Sequence, residues 1–309
     1  MRPLSQLVLA HAVPAVTWHT WSFEPGVVLS LAALASMYAI GLRRLWRTAG
    51  VGSGISRVQA AAFACGWLAL VVALVSPLDA LSGALFAAHM AQHELLIVVA
   101  APLIVLGAPA IALMSLLPPS PRKSVFEAIR RPAVLAAWAA ITAPATAWLL
   151  HAVALWMWHL PELYEAALED GYMHAAQHIS FFGTAALFWW GIAHGRYGRL
   201  GYGVAVMYVF ATALHSGVLG ALLTFSQTPW YAAYAPASPD GRTWGFTALE
   251  DQQLAGLLMW VPAGAVFVIV GVWFVAAWLR ESERRVRLTR VASALLISFL
   301  LVQSVACGG

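Results

Sequence analysis

Eight apolar runs, most of them near twenty residues long and almost free of charge, leave this chain few ways to fold. They cover residues 26–46, 57–76, 83–106, 133–157, 171–193, 201–225, 252–279 and 290–306. A helix needs about 20 mostly apolar residues to cross a bilayer. In hydrocarbon only helices and closed barrels satisfy every backbone group. The runs therefore predict an all-α, polytopic transmembrane bundle of seven or eight spans, the short run 290–306 deciding between the two counts. The chain is 61% hydrophobic and only 10% charged, where soluble domains carry roughly 25% charge. No linker or low-complexity stretch divides it, so residues 1–309 read as a single integral membrane domain.

Charge sets an expected orientation. Arg43, Arg44, Arg47 and Arg57 follow the first run, and Arg122, Lys123, Arg130 and Arg131 follow the third. Arg196 and Arg199 follow the fifth, and Arg280, Arg284, Arg285, Arg287 and Arg290 the seventh. Only Arg2 and Arg242 of the 17 basic residues fall in the other segments. The positive-inside rule makes the Arg-rich loops cytoplasmic and places both termini outside. The net charge of +4 thus reflects topology, and nucleic acid is not an expected partner. Glu24, Asp79, Glu162, Glu165, Glu169, Asp170, Asp240, Glu250 and Asp251 fall on the outer side. Residues 1–14 carry one Arg and a short apolar run, a weak signal-peptide pattern without a convincing cleavage site. Cys65 and Cys307 form no CxxC motif, which argues against a thiolate site. The stretch 108–117 either continues the third run or lies at the interface. Segment 226–250, rich in Pro, Tyr and Trp, is a candidate cap over the outer mouth.

Histidine placement carries the functional signal. His89-Met90-Ala91-Gln92-His93 and His174-Ala175-Ala176-Gln177-His178 each set two imidazoles at i, i+4, on one helix face. Polar side chains inside a membrane are costly and mark function or interhelical bonding. His89, His93, His174 and His178 are the primary ligand candidates for a metal; His159, His215 and Asp251 are secondary. His151 fits an interhelical contact equally well, while His11, His19 and His194 read as loop or interface residues. Glu94 needs a proton or a partner, and could orient a ligand imidazole. Imidazole suits Zn, Cu, Fe and Ni, and thioether favours Cu(I). Met90, Met157 and Met173 beside the histidines, with Met259 two turns below Asp251, tilt the expectation toward Cu(I), although each also serves as core filler. Zn and haem stay open. His93-Glu94 opens like HExxH, but Ile97 holds the position of the second histidine, and neither GxSxG nor a Walker loop occurs. No catalytic residue is assigned. An intramembrane Zn hydrolase, a b-type haem protein and a metal-free scaffold are the alternatives to a metal carrier.

Five segments together carry a family resemblance. They are HMAQHELLIVVAAPLIVLGAP at 89–109, MWHLPELYEAAL at 157–168, HAAQHISFFGTAALFWW at 174–190, LHSGVLGALLTFSQTPWYAAY at 214–234 and LEDQQLAGLLMWVPAG at 249–264. In this order the chain resembles the polytopic CtaG-type cytochrome c oxidase assembly factors. The resemblance implies a multi-pass protein of the bacterial inner membrane that matures a haem–copper oxidase by handling copper. Its implied partners are oxidase subunits and a periplasmic copper chaperone. On the residues themselves, Cu(I) entry is expected from the outer face beneath segment 226–250, and Pro262 and Gly256 fit a kink in the seventh span and core packing about equally well. The PPSP segment followed by Arg122 and Lys123 is left unexplained by the resemblance.

Overall fold

Proline decides where most of these helices begin. Pro25, Pro77, Pro109, Pro119, Pro132, Pro144 and Pro161 each open a helix. There a missing N–H costs nothing and the fixed φ is already helical. The structure, a computed structural model, describes residues 19–194, 202–235 and 243–306. The expectations for residues 1–14, Arg2, His11, Arg196, Arg199, Asp240, Arg242 and Cys307 lie outside the described residues, as does the middle of segment 226–250.

The described residues form helices α1 (Pro25–Ala49), α2 (Arg57–Leu74), α3 (Pro77–Ser82) and α4 (Phe86–Glu94). A π-helical turn (Leu95–Ala100) joins α4 to α5 (Ala101–Leu106), making one continuous column, Phe86–Leu106. Then come α6 (Pro109–Leu116), α7 (Pro119–Ile129), α8 (Pro132–Ile141), α9 (Pro144–Trp158), α10 (Pro161–Glu169) and α11 (Gly171–His194). Finally, α12 (Tyr202–Phe225) precedes a 3-10 turn (Ala232–Tyr234) and α13 (Ala248–Ala306). Five helices are long and apolar enough to cross a membrane, or six if α8 and α9 form one broken span.

Four differences from the sequence expectation have physical causes. The third run starts at Phe86, since Gly83–Leu85 separates it from α3. The stretch 108–117 does not continue that run as one helix: Ala108 turns left-handed (φ 50°), and α6 packs along α1, Ala112 against Gly41 and Leu116 against Arg44. The fourth run breaks, with α8 and α9 meeting at 56°. Ala143 precedes Pro144 and is driven to extended backbone (ψ 137°). The seventh and eighth runs are one helix, α13. Residues 280–290 hold no Gly or Pro but do hold strong helix formers, and Arg285 pairs with Glu281 at 2.9 Å, one turn away. The expected loop is therefore helical.

The column Phe86–Leu106 is the post of the bundle. Of its most apolar window 61% is buried, against 28% or less in the other four candidate spans. On one side it packs with α11 and α13, on the other with α2. Indole and phenol bonds lock it in place. Trp189 Nε1 donates to the Ile97 carbonyl inside the π turn (2.8 Å), and Tyr38 Oη donates to Gly107 (2.9 Å). The outward faces are apolar too: Leu29, Leu68, Val153, Phe210 and Ile269 are exposed, as lipid contact requires and water does not favour. Helices α12 and α13 pack closely because Gly256 lies against Thr224; a Cβ there would stand 2.6 Å from the Gly220 carbonyl. Helix α13 runs on through Pro262 without a break.

Candidate metal centre

The stripe His174, His178, Phe181, Ala185, Phe188 recurs every three or four residues on α11 and marks its core-facing side. Its lower members are fully buried, so the same stripe carries the two imidazoles inward at its start. Asp170 fixes that start, its Oδ1 accepting from Tyr172 N (2.7 Å) and Met173 N (3.0 Å). Opposite, α4 presents His89 and His93, 0% and 3% exposed.

The four primary histidines meet. Ring centroids lie 4.3 Å apart for His89–His93, 4.2 Å for His174–His178, 5.4 Å for His89–His174 and 5.3 Å for His93–His178. One ligand nitrogen from each of His89, His174 and His178 falls within 4.8 Å of the others. Bonds of about 2.0–2.1 Å put two ligand nitrogens at most roughly 4 Å apart, so rotamer shifts under about 1 Å would close the three on one ion. His159 stands at the edge, its ring 6.2 Å from Phe181 and 6.4 Å from Tyr164.

Hydrogen bonding fixes which nitrogens are available. His159 Nδ1 lies 2.6 Å from the Leu155 carbonyl. A carbonyl only accepts, so Nδ1 carries the proton and Nε2 keeps its lone pair. Burial pushes the His159 imidazole down to about 4, which keeps it neutral. Tyr234 Oη donates to the Ser82 carbonyl at 3.0 Å and lies 3.2 Å from His89 Nδ1. Its one proton is committed to Ser82, so His89 donates from Nδ1 and turns a bare Nε2 toward the cluster. Tyr164 bonds Tyr234 (3.0 Å), and Tyr231 Oη donates to the His159 carbonyl (2.9 Å). Burial holds all three phenols well above the ordinary tyrosine value, so they stay protonated. Buried nitrogens without a partner remain on His89 (Nε2), His93 (both), His159 (Nε2), His174 (Nε2) and His178 (Nε2). Such groups ordinarily cost stability unless something binds them. The donor set therefore fits a small cation.

Two secondary candidates do not join. Asp251 spends both oxygens on backbone: Phe86 N donates to Oδ2 (2.7 Å) and Ala87 N to Oδ1 (2.9 Å). It caps α4 from across the bundle, since Leu85 has no capping side chain. His215 stands apart, edge-on to Trp148 at 5.4 Å and facing His151, whose Nδ1 bonds Thr184 (3.1 Å). Among the methionines, Met90 and Met259 are buried in the apolar core and Met157 is exposed. Sequence reasoning missed Tyr164, Tyr234 and the buried Gln177; the Tyr-rich composition of 226–250 was an available signal for Tyr234 alone. From that segment Tyr231 and Tyr234 do cover the histidines, and Ala232 N is tied to Glu165 (2.7 Å).

An all-helical membrane protein with a buried cluster of imidazoles at one end of its bundle is the class these features define. A profile for the cytochrome c oxidase caa3 assembly factor (Caa3_CtaG) matches residues 36–281. The chain belongs to that family of oxidase assembly factors. It is 26% identical over 277 residues to uncharacterized protein Mb0105 of Mycobacterium bovis and equally to uncharacterized protein MT0111 of Mycobacterium tuberculosis. To uncharacterized protein ML1998 of Mycobacterium leprae it is 25% identical over 274 residues. Each match covers 85% of this chain and 40% of the relative, so the chain spans well under half the length of these proteins. No solved structure gives a significant match.

Proposed function

We propose that this chain carries copper, as Cu(I), during assembly of a haem–copper cytochrome c oxidase in the bacterial inner membrane. His89, His174 and His178 hold the ion, with His93 beside them and His159 at the rim. The observation that carries this reading is the convergence of His89, His174 and His178, each offering a nitrogen within 4.8 Å of the others, with unpartnered nitrogens on His93 and His159 beside them. Charge favours a monovalent cargo. Every ligand in the cluster is neutral, and the cost of burying an ion rises with its charge when no opposite charge accompanies it. The carboxylate that the sequence offered, Asp251, is engaged with two N–H groups, which also weakens the zinc hydrolase reading.

The chain's own residues would hold and release the cargo. Ser82 and Leu155 keep the His89 and His159 lone pairs available, and the tyrosines exclude water above them. His174, the least enclosed of the triad with His178, faces the rim on which Asp79 and Glu24 act. Acidic groups there favour arrival of a cation. Release passes the ion by ligand exchange to an oxidase subunit or a soluble periplasmic copper chaperone. By the positive-inside rule this end faces outward.

The test is anaerobic Cu(I) loading of the purified chain, followed by elemental analysis and a visible spectrum, beside a variant with His89, His93, His174 and His178 all changed to Gln. Stoichiometric copper in the chain and none in the variant is the expected result. Zinc held against copper, iron with a Soret band, or no metal at all would each overturn the reading, in favour of a hydrolase, a haem protein or a scaffold.

A further inference from the structure

The opposite end of the bundle holds a second feature, unrelated to the histidines. Helix α1 runs from Glu24, beside the histidine rim, to its basic last turns. Twenty residues of helix at about 1.5 Å each put Arg44 roughly 30 Å away. Arg44 and Arg47, at i, i+3, share a face. The turn from α6 into α7, opened by the PPSP segment, brings Arg122 to the same place, where its guanidinium reaches the Ser115 and Leu117 carbonyls. A cavity of about 620 Å³ opens there, lined by Arg44, Arg47, Thr48, Ser115, Pro119 and Arg122 among others.

The fold builds this cavity deliberately from backbone contacts. Gly41 lets α1 meet α6, because a Cβ there would overlap the Ala112 carbonyl. Ser115 Oγ clasps the pair, 2.6 Å from both the Gly41 and Ala112 carbonyls. Two guanidiniums are then aimed by carbonyls. Arg44 Nη1 donates to Leu116 (2.8 Å), and Arg122 Nη2 donates to Leu117 (2.7 Å) and Ser115 (3.3 Å). Carbonyl anchors orient a guanidinium without neutralising it. Among the described residues no carboxylate pairs with Arg44, Arg47 or Arg122. Arg122 Nε is also buried without a partner. Three uncompensated guanidinium forks around one cavity match the planar, multidentate chemistry of phosphate recognition.

We propose that this cavity binds an anionic phosphate group, supplied by a lipid headgroup at that membrane face or by free phosphate. Lipid retention measured by native mass spectrometry from phosphatidylglycerol and from phosphatidylcholine nanodiscs tests it, with inorganic phosphate as the competing probe. Arg47→Gln removes charge but no hydrogen bond, so folding is spared. Phosphatidylglycerol retention should fall about fivefold in Arg47→Gln and roughly 25-fold in Arg44→Gln/Arg47→Gln, at about fivefold per arginine. Phosphatidylcholine retention should not change. A lipid that inorganic phosphate cannot displace makes the headgroup the source; displacement at millimolar phosphate makes it the free anion. The proposal is overturned if Arg47→Gln binds both probes like the parent, or if Arg284→Gln on exposed α13 weakens them equally. Copper loading enters none of these outcomes.

Discussion

Ser82 and Leu155 contribute only backbone carbonyls to the histidine cluster, yet they decide which imidazole nitrogen is free. The Leu155 carbonyl acts directly on His159, while Ser82 acts through the Tyr234 hydroxyl. Partners of this kind orient a ligand and raise its basicity, and their loss typically costs 10–100-fold in metal affinity. Tyr234→Phe keeps the ring and removes the hydroxyl. It should weaken Cu(I) by at least about tenfold, the lower end of that range, at unchanged stoichiometry. Competition with a Cu(I) chelator reads this directly, and parent-like affinity would deny Tyr234 its positioning role. His215 gives the converse test. It lies apart from the cluster beside Trp148, so His215→Ala should load as much copper as the parent; loss of the metal would contradict the separation seen here.

At the scale of elements, Asp251 shows what a sequence hides. An acidic residue opening an apolar helix looks the same whether it meets a metal or a helix end. Its partners, Phe86 N and Ala87 N, lie some 165 residues earlier. A clue was present at the other end: Leu85 occupies the N-cap of α4 and cannot cap it, so those N–H groups needed an acceptor from elsewhere. Removing a cap costs roughly 0.5–2 kcal/mol. Asp251→Ala should therefore lower stability by about that much or more, the site being buried, while copper stoichiometry is retained. Asp251→Asn, which keeps one acceptor, should recover part of the loss. Thermal unfolding in detergent beside elemental analysis separates the outcomes, and a stable variant without copper would restore Asp251 as a ligand. The two HxxxH pairs were legible for a simpler reason: each rests on the 3.6-residue period alone. That they face each other depends on the packing of α11 against the Leu95–Leu106 stretch, which no local pattern encodes.

For the whole molecule, hydropathy located the apolar runs but not what joins them. Proline positions, unused in locating the runs, mark several helix starts and, at Pro144, the break between α8 and α9. Between runs seven and eight, however, charge was read as a loop. Arg280–Arg290 is charged yet strongly helix-forming, and Glu281 with Arg285 closes a turn. The residues of α13 therefore extend as one helix of 59 residues, near 88 Å at about 1.5 Å per residue, far beyond the roughly 30 Å of a hydrocarbon core. Only part of it can lie in the bilayer, and the same continuity removes the turn that would return the C-terminal segment across the membrane. Spin labels distinguish the two arrangements. With Cys65 and Cys307 changed to Ser, labels at Val272→Cys and Ser293→Cys are separated by 21 residues of helix. A continuous α13 puts them about 32 Å apart. A hairpin of two packed spans, with axes about 10 Å apart, would bring them within roughly 15 Å. Double electron–electron resonance in nanodiscs should report the longer distance; a dominant short distance would restore the eighth span and with it the charged cytoplasmic loop.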